Sequence, residues 1–134
     1  MGEAAMPIKF HNPKAVSVAG KYSLGAEVPQ GARLFYVSGQ VGVDSEGKLA
    51  VNINQQCEQV WMNIGHVLKS ADMTLRDIVK VNIYLTDSRF VAPYREVRDK
   101  FFKDAPYPAS TLLIVAGLAD PAMLVEVEVV AAKA

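Results

Sequence analysis

The stretch Pro106-Tyr-Pro-Ala-Ser-Thr-Leu-Leu-Ile-Val-Ala-Gly-Leu-Ala-Asp-Pro-Ala-Met-Leu-Val-Glu-Val-Glu-Val-Val-Ala131 is dominated by strand-forming residues. It predicts two strands joined by a short Gly/Pro turn region. Because residues two apart in a strand point to the same face, Glu126 and Glu128 share a face with Leu124 and Val130. The other face of this strand is entirely apolar. The acidic face is therefore either exposed to water or part of a polar site.

In the sequence before this stretch, strand patterns alternate with helix patterns. Alternating apolar side chains predict strands over Arg33–Val43 and Ile78–Leu85. Apolar residues spaced three and four apart predict one helix over Asn54–Ala71, with Asn54 as its N-cap, and a second over Ser88–Phe102.

The remaining segments are short connections. Residues 1–14 form an irregular lead-in that could contain an edge strand near Ile8–Phe10, and Tyr22–Ala26 could belong to a hairpin or a loop. Turn-forming residues at Asp44–Gly47 end the first long strand, and Thr74–Asp77 has the pattern of a local cap and turn. With 134 residues, the chain has room for one domain, residues 1–134.

This order of elements predicts an α+β fold, with two helices on one face of a mixed sheet. Two helices can cover only one face of the sheet. The other face carries Leu34, Tyr36, Leu124 and Val130 beside its polar residues, which is too apolar to remain in water. We expect copies of the same chain to cover it.

Composition excludes several classes of protein. Basic and acidic side chains number 14 each, so the net charge is zero, whereas nucleic-acid binding usually needs an excess of positive charge. We therefore expect no nucleic-acid partner. Cys57 is the only cysteine, which rules out an internal disulfide framework, and His11 and His66 lie far apart without cysteine companions, which leaves no pattern for a metal site.

The chain shows no pattern of a targeting or membrane segment. It has no basic and apolar leader, and no apolar run approaches the ~18 residues that a membrane helix needs. We expect a cytoplasmic protein without a membrane partner.

Several short motifs occur in an ordered set. They are Tyr22-Ser23, Val37-Ser-Gly-Gln40, the spacing of Gln56, Gln59 and Asn63, Asp77-Ile-Val-Lys80, Pro108-Ala109 and Leu124-Val-Glu-Val-Glu128. Together they resemble the RidA family, also called YjgF, over nearly the whole chain. The resemblance implies a chorismate-mutase-like fold and a homotrimer with a barrel-like core and small-molecule clefts between subunits. In the best-known branch it also implies hydrolysis of reactive enamines and imines released by pyridoxal-phosphate enzymes.

The resemblance also implies the site residues. Glu126 would be the catalytic acid/base that positions or activates water, and Tyr22, Ser38, Gly39 and Ser110 would line the substrate site. Each has a structural alternative: a solvated carboxylate for Glu126, a loop aromatic for Tyr22, a plain strand residue for Ser110, and close backbone approach for Gly39. Glu128 matches no family site and is interpreted as a solvated carboxylate, Cys57 as an inert buried thiol, and His66 as a surface residue.

The chain departs from the deaminating branch at two positions. The residue after Pro-Ala is an arginine in that branch and Ser110 here, and a hydroxyl cannot replace the forked contact of a guanidinium with a carboxylate. The asparagine expected early in the second helix falls near Tyr94. A cation from a neighbouring subunit could stand in for the missing arginine, and the candidates are Arg33, Arg89, Arg95 and Arg98.

The leading hypothesis is a trimer that binds a small metabolite between subunits and hydrolyses an imine or related C=N bond, with no metal or organic cofactor. Because of Ser110, we expect weak or absent activity on acids of the 2-iminopropanoate type. The alternative is a non-catalytic binding or chaperone-like trimer. A third, RNA-cleaving or translation-inhibiting role is disfavoured by the neutral charge.

Overall fold

The computed structural model describes residues 7–134 of the protein. The elements follow one another as β1 (Lys9–His11), β2 (Gly25–Glu27), β3 (Arg33–Gln40), α1 (Ile53–Ser70), β4 (Ile78–Leu85), α2 (Val91–Phe101), β5 (Ala109–Ile114) and β6 (Val125–Lys133). The predicted edge strand near Ile8–Phe10 is β1, one residue later, and it pairs with β2 in a separate two-stranded sheet. Residues 1–6 of the predicted lead-in lie outside the described part.

The main sheet has four strands in the order β3-β6-β4-β5. Strands β4 and β5 run parallel, whereas β6 is antiparallel to both of its neighbours. This confirms the prediction of a mixed sheet. The two C-terminal strands are not neighbours, because β4 lies between them.

Both helices pack on one face of this sheet, as predicted. Val125, Val127 and Val129 of β6 point to that face and are buried, whereas Glu126 and Glu128 point to the other and are partly exposed. The apolar stripes of the two helices supply buried side chains that include the two largest in the core, Trp61 and Tyr94; the others are Val60, Ile64, Leu68 and Val97. The period-two pattern of the last strand thus separates the core from the open face.

The first helix begins earlier than predicted, and the strand before it ends earlier. The N-cap is Asn52, whose side-chain oxygen accepts a 2.9 Å hydrogen bond from the Gln55 backbone N–H, so the prediction of Asn54 is wrong. Strand β3 ends at Gln40, which still pairs with Val127 of β6 after a register shift between Val37 and Gln40. Gly42 then passes so close to α1 that an added β-carbon would lie 2.7 Å from Cα of Gln56.

The predicted second helix is two elements. Ser88–Phe90 form a 3₁₀ turn, capped where the Asp87 carboxylate accepts the Arg89 backbone N–H at 2.8 Å, and α2 follows from Val91. Pro93 lies in the first turn of α2, where a backbone N–H would have no partner within the helix.

The cap and turn predicted at Thr74–Asp77 is confirmed. Thr74 and Asp77 form a reciprocal capping box around a 3₁₀ turn: the Thr74 backbone N–H donates to the Asp77 carboxylate at 2.8 Å, while the threonine hydroxyl accepts from the Arg76 backbone at 3.2 Å.

The open face of the sheet remains apolar in the single chain. The exposed fraction is 51% for Leu34 and 70% for Tyr36. The prediction of an uncovered apolar face is confirmed, and its covering by further copies stays a prediction. Within residues 7–134, no helix combines the length and apolar character needed to cross a membrane.

Candidate functional site

Glu126 and Gly39 meet on the open face of the sheet. The register shift between β3 and β6 brings the Gly39 backbone against the Glu126 side chain. A β-carbon built on Gly39 would overlap Oε2 of Glu126 and lie 2.9 Å from its Cδ. The absence of a side chain at residue 39 is therefore what lets the carboxylate occupy this place.

A cavity of about 300 Å³ lies between β3, β6 and β4, lined by the neighbours Ser38 and Glu128 but not by Gly39 or Glu126 themselves. Its polar wall is formed by Ser38, Asn82 and Glu128, and Tyr36 stands at its rim. Oε1 of Glu128 accepts a 2.7 Å hydrogen bond from the Tyr84 hydroxyl and a 3.2 Å bond from the Asn82 amide. Ser38, a predicted site residue, thus shares a cavity with Glu128.

The sequence interpretation of Glu128 as a simple solvated carboxylate is incomplete. The Tyr84 hydroxyl donates a hydrogen bond to the Glu128 carboxylate, and this bond raises the pKa of Tyr84 because it stabilises the protonated phenol. Asn82 and Tyr84 were not singled out from the sequence. Their position two apart on the polar face of β4, in register with Glu128 and Glu126, is the signal that could have found them.

Tyr22 lies in a second cleft, of about 280 Å³, between its own loop and α2. The loop is fixed because Ser23 donates its backbone N–H to the Pro108 carbonyl at 3.0 Å and bridges to Ala109, at the start of β5. Arg95 and Arg98 also line this cleft. Tyr22, a predicted site residue, therefore shares its cleft with cationic side chains.

Ser110 and Glu126 lie on opposite faces of the sheet. In β4, Val81 is the register partner of both Ser110 and Val129, and residues in register share a face. Val129 is buried under the helices, so Ser110 points to the helix side and Glu126 to the open side. One chain does not bring these two predicted site residues together.

The Tyr94 position holds no site residue. Its side chain has no exposed surface and its hydroxyl finds no hydrogen-bond partner among the described residues, so Tyr94 belongs to the core. The next residue, Arg95, is exposed and lines the Tyr22 cleft. The boundary between core and cleft thus passes between these two neighbours.

The other candidate arginines have partners within the chain. Arg33 donates to the Ala71 carbonyl at 3.0 Å. Arg89 pairs with Asp87 at 2.8 Å on the protein surface, and Arg98 pairs with Asp99 at 2.9 Å in the Tyr22 cleft.

Cys57 and His66 behave as the sequence indicated. Cys57 is fully buried, and burial, with a smaller contribution from Glu58, raises the pKa of its thiol to about 12, so that it is not a nucleophile near neutral pH. His66 is exposed on α1. Within residues 7–134, no three side chains from His, Cys, Asp and Glu are grouped as metal ligands would be.

Comparison with known proteins shows which family has this sequence and architecture. The family model described as endoribonuclease L-PSP matches residues 12–133. A RutC family protein of Aquifex aeolicus is 36% identical over 93% of this chain and 98% of its own length. This chain belongs to the RidA family.

Other members of the RidA family are similar over most of their length. The 2-iminobutanoate/2-iminopropanoate deaminase of Homo sapiens is 32% identical over 88% of this chain and 84% of its own. Among solved structures, RidA from an Antarctic Psychrobacter has a TM-score of 0.70 at 34% identity, covering 91% of this chain and 96% of that one. The Rid-family protein YyfB from Yersinia pestis reaches a TM-score of 0.84 at 25% identity, over 96% and 100% of the two chains.

Proposed function

We propose that this protein is an enamine/imine deaminase that hydrolyses the C=N bond of a small metabolite. In the proposed step, Glu126 takes a proton from water as the water oxygen bonds to the imine carbon, and returns that proton to nitrogen. The carbinolamine then loses ammonia: the C–N bond breaks, the hydroxyl proton moves to the leaving nitrogen, and a carbonyl product remains. Water and one carboxylate suffice, so the proposal includes no metal or organic cofactor.

The observation that carries this proposal is the position of Glu126 against Gly39. The carboxylate is held beside backbone that has no side chain, and among residues 7–134 no lysine, arginine or histidine pairs with it. A carboxylate without such a partner can accept a hydrogen bond from a bound water. The deaminase names of the mammalian relatives support the same reaction class.

We further propose that the sites lie between copies of the chain in a homotrimer with a barrel-like core. Tyr22 and Ser110 lie on the helix side of the sheet, and Ser38, Gly39 and Glu126 on the open side. A site that uses both groups therefore needs two chains. The exposed Leu34 and Tyr36 supply apolar surface for such an interface. The cytoplasmic location and the lack of nucleic-acid binding remain predictions.

One observation favours a second candidate, a non-catalytic binding or chaperone-like trimer. Ser110 provides a hydroxyl where the deaminating branch has a forked cation, so the chain could keep a cleft without the usual anchor of the substrate.

Turnover separates the two candidates. The purified protein is given a panel of enamines, neutral imines and imino acids generated in place, and ammonia release is measured above the spontaneous rate. Glu126→Gln should lower kcat at least about a hundredfold, since general acid/base catalysis contributes factors of this size. Glu46→Gln, at an exposed position in the turn after β3, is the matched control and should keep the activity. Ammonia release no faster than the spontaneous rate on every substrate would reject the deaminase, and equal catalysed rates in wild type and Glu126→Gln would reject Glu126 as its acid/base.

A further inference from the structure

The cleft that contains Tyr22 has an excess of positive charge. Its wall includes the cationic side chains Lys21, Arg95 and Arg98 and the single carboxylate of Asp99, a surplus of two positive charges. Asp99 is already engaged, because Arg98 donates to its Oδ1 from Nε at 3.1 Å and Nη2 at 2.9 Å, and Lys21 lies 3.5 Å from its Oδ2. The one acid in the cleft is thus shared by two of the three cations.

Arg95 is the cation left over. Among residues 7–134 no carboxylate lies within 4.0 Å of its guanidinium, and its side chain is exposed to the cleft. Arg98 is held in place with a side-chain exposure of only 16%, so Arg95 stands beside a fixed positive neighbour. Like charges at close range repel, and an anion bound between them relieves that repulsion.

The cleft also matches a small ligand. Its volume of about 280 Å³ is just below the range for drug-sized ligands, about 300–1,000 Å³, and so suits a smaller molecule. The Tyr22 hydroxyl accepts only one long hydrogen bond, 3.4 Å from the Ala19 backbone N–H, and keeps its own proton to donate. A forked guanidinium and a phenol that line one cleft suit a planar carboxylate that accepts at both oxygens.

From these observations we infer that Arg95, with Tyr22 in the same cleft, binds the carboxylate of an acidic substrate and replaces the cation that Ser110 does not supply. The inference rests on the proposed function and names its substrate class: small imino acids, whose hydrolysis gives 2-oxo acids. It reverses the expectation, drawn from Ser110 alone, that acids of the 2-iminopropanoate type are poor substrates.

Direct binding tests the carboxylate site without any need for turnover. Pyruvate and 2-oxobutanoate serve as stable acidic probes, pyruvamide as the neutral probe and inorganic phosphate as a second anion, each titrated by calorimetry or amide chemical shifts. Wild type should bind the two acids and not pyruvamide. Arg95→Ala should weaken acid binding about tenfold to a hundredfold, since a charge-assisted hydrogen bond contributes that much to affinity. Arg95→Lys keeps the charge but not the fork and should lose less.

Arg89→Ala is the matched control. It removes the same charge from a side chain that is 84% exposed and bonded to Asp87 away from the cleft, so it should leave acid binding unchanged. Because Arg95 is exposed, its variants should fold with the wild-type melting temperature. Three outcomes would overturn the inference. They are unchanged acid binding by Arg95→Ala, an equal loss of acid binding in Arg95→Ala and Arg89→Ala, and binding of phosphate without binding of either 2-oxo acid.

The same titrations separate this inference from the proposed function. Arg95-dependent binding of 2-oxo acids without turnover of any imine would keep the carboxylate site and reject the deaminase. Turnover of neutral imines without acid binding would do the reverse.

Discussion

The carboxylate of Glu126 fills the space that a side chain at Gly39 would need. Gly39→Ala should therefore displace the carboxylate while the chain stays folded, because a glutamate side chain can rotate away. We expect kcat/KM for imine hydrolysis to fall at least about tenfold, as misplaced catalytic groups do. Gly65→Ala is the control: an added β-carbon there meets no atom within 4 Å, and alanine in a helix interior should add about 1 kcal/mol of stability. Full activity of Gly39→Ala would show that the position of the carboxylate does not matter.

Placing a charge on the open face should dissociate the assembly. Tyr36 is 70% exposed on that face, and Tyr36→Glu would bury a carboxylate in the proposed interface, at a cost of several kcal/mol. Sedimentation or light scattering should show the mass fall from that of three chains to the 14.6 kDa of one. Val51→Glu introduces the same charge at a residue that is 85% exposed, in the segment before α1, and should leave the mass unchanged. An unaltered mass for Tyr36→Glu would place the contact between copies elsewhere.

The buried amide of Gln56 should be a major source of stability. Its Nε2 donates to the carbonyls of Ala50 and Ala122 at 3.1 and 3.0 Å, and its Oε1 accepts from the Leu124 backbone at 2.9 Å. Gln56→Leu leaves these backbone groups without partners, and we expect a loss of about 2–4 kcal/mol in the free energy of unfolding. Denaturation in urea measures it. Gln55→Leu, at an exposed position one residue earlier, should cost less than about 0.5 kcal/mol, and similar losses for both would mean that the three bonds contribute little.

Stability should fall in alkaline solution because of Cys57. Burial raises the pKa of its thiol from 9.0 to about 12, so above pH 9 the unfolded chain loses this proton while the folded chain keeps it. The free energy of unfolding then decreases with rising pH, by at most about 1.4 kcal/mol per pH unit, between about pH 9 and 12. Burial also raises the pKa of Tyr94, which adds to the decline above pH 10.

Urea titrations at pH 8, 9 and 10 measure this decline, and Cys57→Ala should flatten it between pH 9 and 10. A slope that is the same in the two proteins would show that the thiol titrates alike in the folded and unfolded states. Thiol reagents at pH 8 should likewise modify Cys57 only as fast as the chain unfolds.

Local patterns predicted the fold well wherever one side chain decides the face or the end of an element. The alternation of valines and glutamates in β6 separates core from open face without any knowledge of neighbours, and Thr74 and Asp77 define their cap by themselves. The N-cap of α1 was misplaced because Asn52 and Asn54 are equally good caps. Only the packing of the preceding segment against α1 selects the first.

Relationships across the sheet could not be predicted in this way. The sequence gives no sign that β4 lies between β5 and β6, and it is this order, through Val81, that places Ser110 opposite the Glu126 face. The cleft that Arg95 and Tyr22 both line likewise joins a loop and a helix that are far apart in the chain. From the sequence, Arg95 is one of four equivalent candidate arginines. Only the structure distinguishes it, because the other three have hydrogen-bond or ion-pair partners within the chain.

The separation of Tyr22 and Glu126 onto opposite sides of one sheet has a genetic consequence. If both serve one reaction, each working site combines the helix side of one copy with the open side of another. Chains carrying Arg95→Ala and chains carrying Glu126→Gln would each hydrolyse imino acids poorly alone, yet a mixed trimer would contain a site in which both residues are intact. Two defective alleles of this gene would then complement each other within a single cell.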